Sequence, residues 1–401
     1  MKKKVLVMAS TFPRYKNDST PRFVLDLSKK LNSNYDLIIL APHADLSQKE
    51  EILEGIKVRR FAYFKPESMQ KLCYEGGIIP NMKKSFLAKL QLPLLIACEF
   101  FSAASIIKKE KISAIHAHWM LPQGLVGVFL KKIFNIPLIV TIHGSDLFPL
   151  KNKFLVSLQK YVCKNADAIT VDTKATKDEL VGRFQGFEDK INTIPMGVDL
   201  NLFKKKKIKK SSRYSKSKLL LFVGRLSDQK GVQYLIESMP SIIKHDTCVK
   251  LLIIGSGPYE NHLKSLAKSA KVDDKIEFLG AMTSKEVSEY YNIADIFILP
   301  ALSNKTGTEA LGLSLLEAMA CELPVIGTDV GGIRYTIKDE INGVLIEQKN
   351  PNSISKAVVD LLKNPSKRKL LSKNASLFVR KNYSWGRISK DFEKLYKMVL
   401  K

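Results

Sequence analysis

Short, continuous apolar runs alternate with longer amphipathic stretches along nearly the whole of this 401-residue chain. In the first half the runs are Val5 to Ala9, Leu37 to Ala41, Ile56 to Phe61, Ile112 to His116, Leu138 to Ile142, Ala168 to Val171 and Ile191 to Ile194. In the second half they are Leu219 to Val223, Val249 to Ile254, Ile276 to Leu279, Ile296 to Leu299, Val325 to Gly327 and Gly343 to Ile346. Strands that are apolar on both faces must be covered on both faces, and helical crossovers do this when neighbouring strands run parallel. The alternation is interrupted at residues 201–218, NLFKKKKIKKSSRYSKSK, which hold nine basic residues and no acidic one. Like charges repel, so this block reads as a solvated linker. The expected organisation is an α/β domain over residues 1–200, a Lys-rich linker over 201–218 and a second α/β domain over 219–383.

Ligands of parallel sheets gather at the carboxyl ends of the strands. Polar clusters stand at those ends here: Ser10-Thr11-Phe12-Pro13, His116-Ala117-His118-Trp119 and His143-Gly144-Ser145-Asp146. His116 and His118 would point the same way from an extended chain, but no third ligand has convincing spacing, so zinc is rejected. After the run ending at Val223, Gly224 and Arg225 are followed by Lys230 and Gly231. Two cations and free helix amides over one point suit a diphosphate, with Arg binding as a planar fork and Lys as a point charge. Taken alone, both could equally be surface charges. Gly255 and Gly257 follow the next run and read as a tight strand-to-helix turn.

The stretch Ala301 to Ile333 carries Glu309 and Glu317 on either side of the start of a helix. Amides at Leu311, Gly312 and Leu313, with the positive end of the helix dipole, would favour a diphosphate. A carboxylate accepts hydrogen bonds in pairs, which suits vicinal sugar hydroxyls. The plainer alternative is a loop Glu and a solvated helix Glu.

Glu309-Ala310-Leu311-Gly312-Leu313-Ser314-Leu315-Leu316-Glu317-Ala318-Met319-Ala320, with Pro324-Val325-Ile326 after it, resembles the signature of the retaining, nucleotide-sugar-dependent glycosyltransferases of family 4. That signature is Glu, seven residues, Glu, then Ala-Met-Ala and Pro-Val-Ile. Gly224-Arg225-Leu226 with Lys230-Gly231 resembles the same family's diphosphate motif. Ala310 and Glu322 stand where the family usually has Gly. The resemblance implies the GT-B fold: two Rossmann-like parallel-sheet domains facing a cleft, with a C-terminal helix, residues 384–401, crossing back to the first domain. It also implies transfer of a hexosyl unit from a nucleoside-diphosphate sugar, UDP or GDP, to an acceptor hydroxyl with retention. Arg225, Lys230 and the Leu311–Leu313 amides would neutralise the leaving diphosphate without a metal or other cofactor. Glu317 would hold the ribose, Glu309 the donor sugar, and His143 would lie against a sugar hydroxyl. Gly224, Gly255, Gly257, Ala310 and Gly312 complete the donor set, and His118 and Trp119 would line the acceptor side. The Gly-Gly pair that many relatives carry after the first strand is missing here, which leaves Arg14 and Arg22 as candidates for an acceptor phosphate.

The formal net charge of +26 draws polyanions, either nucleic acid or an anionic membrane. No zinc finger, basic zipper or aromatic base-reading strand is present, so nucleic acid is not expected. The segment Leu90 to Ile107 is strongly apolar and flanked by Lys83, Lys84, Lys108, Lys109 and Lys111. Gln91, Pro93 and Glu99 interrupt it, so a membrane-spanning helix is not expected. It reads as a crossover helix, with an interfacial helix as the alternative, and its basic flanks suit anionic lipid in either case. Five scattered cysteines fit a reducing cytoplasm, and the apolar run after Lys2-Lys3-Lys4 is too short for a signal peptide. The expected setting is cytoplasmic, peripheral at the inner membrane face, with a lipid-linked or saccharide acceptor in surface-polysaccharide assembly. Two rival functions remain: a sugar-nucleotide 2-epimerase of related fold, and a non-catalytic membrane- or nucleic-acid-binding protein.

Overall fold

The computed structural model describes residues 2–74, 76–304 and 307–400; Lys305 and Thr306, inside the Ala301–Ile333 stretch, lie outside them. The chain forms two compact units, one of residues 1–196 with 388–401 and one of residues 197–387.

Unit 1 contains β1 (Lys4–Met8), α1 (Phe23–Leu31), β2 (Asp36–Pro42), β3 (Glu50–Leu53), β4 (Ile56–Phe61), α2 (Ile78–Lys84), α3 (Phe86–Glu110), β5 (Ala114–His118), α4 (Leu125–Phe134), β6 (Leu138–Ile142), α5 (Lys153–Asn165), β7 (Ala168–Val171), α6 (Lys174–Arg183) and β8 (Ile191–Thr193). Its eight strands run in the order β3-β4-β2-β1-β5-β6-β7-β8. All neighbours pair in parallel except β3, which is antiparallel to β4 at the edge. That departs from the all-parallel expectation: Glu50-Glu51-Ile52-Leu53 has one exposed face, as an antiparallel edge strand permits. β5 runs two residues beyond the expected end, so His116 and His118 lie within the strand, paired in register with Ile139 and Thr141.

Unit 2 contains β9 (Lys218–Val223), α7 (Val232–His245), β10 (Val249–Ile254), α8 (Glu260–Ser269), β11 (Ile276–Gly280), α9 (Ser284–Ile293), β12 (Ile296–Leu299), α10 (Leu313–Ala320), β13 (Val325–Thr328), α11 (Ile333–Thr336), β14 (Val344–Ile346), α12 (Pro351–Lys363) and α13 (Pro365–Asn382). Its six strands are all parallel, in the order β11-β10-β9-β12-β13-β14. β9 therefore sits centrally between β10 and β12, and the loops leaving all three emerge at one edge. The last helix, α14 (Trp385–Val399), begins against unit 2, where a Cβ on Gly197 would meet the Trp385 ring. From Ile388 onward it belongs to unit 1, where Tyr396 Oη bonds His116 Nδ1 at 2.7 Å and the Tyr396 ring packs on Tyr35.

The Lys-rich segment is not a solvated linker. It is the first stretch of unit 2, held down by residues its charge conceals. Phe203 and Tyr214 are buried, with Phe203 edge-on to Tyr291 and Tyr214 Oη 2.7 Å from Glu277. The Lys206 amide donates to Asn292 at 2.6 Å, and Lys210 Nζ bonds Asp295 at 2.7 Å. The chain passes from unit 1 to unit 2 at Met196–Gly197, ahead of the basic block.

Three glycines let the loops at the unit 2 edge close on one another. A Cβ on Gly255 would overlap the Gly224 carbonyl, one on Gly257 the Leu226 carbonyl, and one on Gly231 the Pro300 carbonyl. Gly257 has no positive φ, so its demand is for space alone. Gly257→Ala should cost about 1–3 kcal/mol, as overpacking does, whereas Gly182→Ala, with open space around it, should leave the melting temperature unchanged or higher. Thermal unfolding of both variants tests this.

α3 buries Gln91 and Glu99 completely. Gln91 takes a hydrogen bond from the Lys71 amide at 3.0 Å and gives one to the Met69 carbonyl at 2.8 Å. Burial pushes the Glu99 carboxyl up to about 8, against the opposing bond from Gln123 at 3.3 Å. The folded chain thus keeps a proton that the unfolded chain releases near 4.5, so stability present at low pH is lost as pH rises through about 8. Glu99→Gln should flatten that decline, which has a ceiling of about 1.4 kcal/mol per pH unit, in urea unfolding followed from pH 5 to 8.5; an unchanged slope would contradict it.

Candidate active site

In unit 2 the two sequence motifs meet. The loop after β9 runs through Gly224 and Arg225 to a short turn at Asp228–Lys230, and Gly231 at φ 69° starts α7. The Gln229 carbonyl accepts from the Leu302 amide at 2.7 Å, fastening this loop to the chain leaving β12. Lys230 Nζ pairs with the Glu309 carboxylate across 79 residues of sequence. Both side chains are largely buried, 21% and 13% exposed, so the pair is less screened than a surface one. Arg225 is half-buried, and burial alone draws its guanidinium below the usual value, although an arginine stays cationic.

Glu309 is held by its backbone as well. Its carbonyl accepts from the Gly332 amide at 2.8 Å, and a Cβ on Gly331 would overlap that carbonyl. The Gly331-Gly332 turn therefore packs directly under the first glutamate. Ala310 and Leu311 lead to Gly312, whose φ of 76° starts α10 with no side-chain cap. The first turn of α10, at Leu313, thus offers backbone N–H groups that no side chain satisfies at the cap. Glu317 lies one turn further on, and Tyr291 Oη sits 3.0 Å from its Oε2 and 3.1 Å from the Ser314 carbonyl. Burial first, then the Glu317 charge, raises the Tyr291 hydroxyl well above its ordinary value, so it remains a donor. Tyr291 was not visible as a site residue: it looks like one more core aromatic on an amphipathic helix.

In unit 1, three adjacent strands each bring one polar side chain to the same edge. His118 ends β5, His143 follows β6 and Asp172 follows β7. His143 Nδ1 lies 3.2 Å from Asp172 Oδ2, and His143 Nε2 lies 3.0 Å from His118 Nδ1, with the two ring planes nearly parallel at 4°. A carboxylate only accepts, so Nδ1 of His143 donates to Asp172. Burial holds His118 well below the ordinary imidazole value, and burial likewise takes His116 down to about 3. Both ring nitrogens of His143 are engaged inside unit 1, so a contact with a sugar hydroxyl requires the His118 bond to be exchanged. His118 is fully buried behind His143 rather than lining an acceptor surface, a correction that follows from β5 extending to it. Asp172 went unnoticed, although its place at a strand end could have pointed to it.

Trp119 remains partly exposed beside His143, with ring centroids 5.0 Å apart, and Phe23 approaches the same imidazole at 4.8 Å. Trp119 has φ 76° and ψ 136°, costly for any residue with a Cβ. It is held there by its amide bonding Thr141 O at 2.8 Å and its indole Nε1 bonding Ser145 Oγ at 3.2 Å. Asp146 clips the two loops together, its carboxylate accepting from the Met120 and His143 amides at 2.6 and 3.1 Å.

Arg14 and Arg22 are already committed. Arg14 Nε and Nη2 both bond Asp18 at 2.9 Å; burial raises that carboxyl, but the Arg14 bonds outweigh it and hold it at about 2. Arg22 reaches Glu54 through both terminal nitrogens at 2.8 and 2.9 Å, and those bonds hold Glu54 at about 2. An acceptor phosphate would have to displace these carboxylates. Arg60, a residue the sequence did not single out, is buried and supports the same loop by donating to the Pro13 carbonyl at 2.9 Å. Among the described residues, no group of three or more His, Cys, Asp or Glu side chains could hold a metal ion.

Both halves of the chain match known families. Residues 20–202 match the model described as "Glycosyltransferase Family 4", and residues 203–378 match "Glycosyl transferases group 1". An uncharacterized glycosyltransferase of Methanocaldococcus jannaschii is 31% identical over 322 residues, covering 77% of this chain and 80% of that protein. The D-inositol 3-phosphate glycosyltransferase of Salinispora tropica is 25% identical over 413 residues, covering 93% of this chain and 80% of that protein. Among solved structures, sucrose-phosphate synthase from Thermosynechococcus elongatus superposes with a TM-score of 0.80 at 20% identity, covering 99% of each chain. Anabaena HepE, solved with UDP and glucose, gives 0.77 at 15% identity, covering 99% of this chain and 100% of that one. The paired-glutamate and Gly-Arg…Lys-Gly motifs, the two doubly wound units and these matches together make the chain a group 1 glycosyltransferase of family 4 with the GT-B fold.

Proposed function

We propose that the chain moves a hexosyl unit from a nucleoside-diphosphate sugar, UDP or GDP, to a hydroxyl of a lipid-linked or saccharide acceptor, with the anomeric configuration retained. The observation that carries this is the Lys230–Glu309 pair, which places the diphosphate motif against the sugar-binding motif in one unit. Of the likenesses reported above, HepE was solved with UDP and glucose, which supports a nucleotide-sugar donor.

The chemistry follows from charge. Breaking the bond between the anomeric carbon and the phosphate oxygen leaves a diphosphate, and Lys230, Arg225 and the uncapped first turn of α10 would neutralise it, with no metal required. Glu309, displaced from Lys230 by the arriving phosphate, is then free to accept from hydroxyls of the donor sugar. Glu317, fixed by Tyr291, would accept from the ribose hydroxyls. With retention, the acceptor oxygen bonds the anomeric carbon on the face the phosphate leaves. The departing phosphate oxygen takes the acceptor's proton, so no enzymic nucleophile is needed. His143, oriented by Asp172, and the Trp119 ring would serve the sugar side of the reaction.

The net charge of +26 favours an acceptor met at an anionic membrane surface. We place the chain in the cytoplasm, peripheral at the inner face, in assembly of a cell-surface polysaccharide.

Thermal shift against UDP-, GDP- and ADP-sugars should reveal one class that raises the melting temperature, since a ligand at 100 times its Kd adds about 2.7 kcal/mol. Lys230→Met should abolish that shift; a shift that survives it would remove the proposed grip. Tyr291→Phe should raise the donor KM roughly tenfold with little change in kcat, as expected for losing one bond to a charged group. Proton NMR should show transfer with the donor's anomeric configuration kept, and interconversion of the sugar nucleotide without an acceptor would instead indicate the epimerase.

A further inference from the structure

The helix α3 is apolar on both of its sides. Its protein-facing side carries Ala88, Leu95, Ala103, Ile106 and Ile107, with the polar Gln91 and Glu99 among them. Its opposite side carries Phe86, Leu90, Leu94, Ala97 and Phe101, spaced 4, 4, 3 and 4 residues apart, which lines them up on one face of a helix. Phe86 is 73% exposed, Leu90 55% and Phe101 70%. The stripe continues into an apolar groove of about 570 Å³ between α3 and α4, walled by Pro93, Ile96, Phe100, Phe129 and Ile133. Ile133 is 62% exposed, and Phe154 on the neighbouring α5 is 67% exposed. Single exposed apolar side chains are ordinary, but a continuous face of this kind marks a docking surface.

Charge says what docks. Residues 78–166 hold twelve lysines, no arginine and three carboxylates. Two of the three, Glu99 and Asp146, are buried, and the third, Glu110, is tied to Lys4 and Arg59. Lys83, Lys84 and Lys89 lie exposed at the start of the stripe and Lys108, Lys109 and Lys111 at its far end. Protein-binding surfaces favour arginine and are poor in lysine. A rim of mobile ammonium groups around an apolar strip suits a diffuse sheet of negative headgroups over hydrocarbon. By length and composition α3 could cross a membrane, but its fully buried Gln91 and Glu99 hold it against the rest of unit 1.

We propose that the α3–α4 face of unit 1 lies on an anionic lipid bilayer, with Phe86, Leu90, Phe101, Phe129 and Ile133 entering the acyl boundary and the lysines meeting the headgroups. It rests on the reading that the acceptor is met at a membrane, and it names the surface. The face then brings the acceptor to the enzyme in two dimensions.

The test is cosedimentation of the full chain with vesicles of phosphatidylcholine alone and of phosphatidylcholine mixed with phosphatidylglycerol, at physiological salt. The wild type should bind the mixed vesicles. Phe101→Glu and Ile133→Glu should each bind at least tenfold more weakly, and both residues are exposed enough for the melting temperature to hold. Lys83→Glu combined with Lys84→Glu should remove the preference for the anionic lipid. Unchanged vesicle binding in the phenylalanine and isoleucine variants overturns the proposal. So does a wild type that ignores vesicles and forms a dimer that Phe101→Glu dissociates, which assigns the face to a second copy. The sugar-nucleotide thermal shift should persist in these variants; its absence from the wild type counts against the donor reading and leaves the docking result standing.

Discussion

Parallel hydrogen bonding makes every strand of a sheet finish at the same edge, and the chemistry of this chain is built on that constraint. In unit 2, β9, β10 and β12 are neighbours, so the Gly-Arg loop, the Gly-x-Gly loop and the start of the glutamate loop must emerge side by side. Segments dozens of residues apart become a single surface without any need for long-range design. The glycines at 231, 255 and 257 are consequences of the same geometry: three loops leaving adjacent strands crowd until their backbones touch, and a Cβ would hold them apart. In unit 1, the same edge collects His118, His143 and Asp172 from β5, β6 and β7.

At the unit 2 edge, the Lys230–Glu309 pair does two things. It ties the loops of β9 and β12 together by charge where Gln229 and Leu302 tie them by backbone. It also stores a cation and a carboxylate in mutual neutralisation. On the proposed reading, a phosphate that took the lysine would release the glutamate toward the sugar, so one ligand would use both halves of the pair. Tyr291 plays a quieter part for Glu317: burial keeps its hydroxyl protonated, and it donates to the carboxylate and fixes it. In unit 1, Asp146 and Asp172 do comparable work on the backbone and the ring of His143.

Much of this was legible in the chain. Leu138–Ile142, Ala168–Val171, Val249–Ile254 and Ile296–Leu299 coincide with the observed strands because fully buried parallel strands leave no alternative to a continuous apolar run. The motifs holding Arg225, Lys230, Glu309 and Glu317 stand out in the sequence by family likeness, and the fold brings Lys230 and Glu309 together. What escaped notice had tertiary causes. β5 was placed two residues early because histidines look like a strand's end until Tyr396 and Thr141 are seen to satisfy His116 inside the sheet. β3 is four residues long and puts one glutamate and one apolar residue on each face, so it shows neither an apolar run nor an alternation. Residues 201–218 look like linker because nine charges mask the two aromatic anchors, Phe203 and Tyr214. Arg14 and Arg22 looked free because Asp18 and Glu54 become their partners only once the loops fold back.

On the proposed reading, Lys230 and Glu309 act as one unit on the donor's diphosphate. Calorimetric titration of UDP into the wild type, Lys230→Met, Glu309→Gln and the double variant measures this directly. Strong coupling is expected, with the double variant departing from the sum of the singles by more than about 1 kcal/mol, because removing either partner changes what the other does in the free protein. Additivity within about 0.5 kcal/mol, or UDP affinity untouched by Lys230→Met, would contradict it.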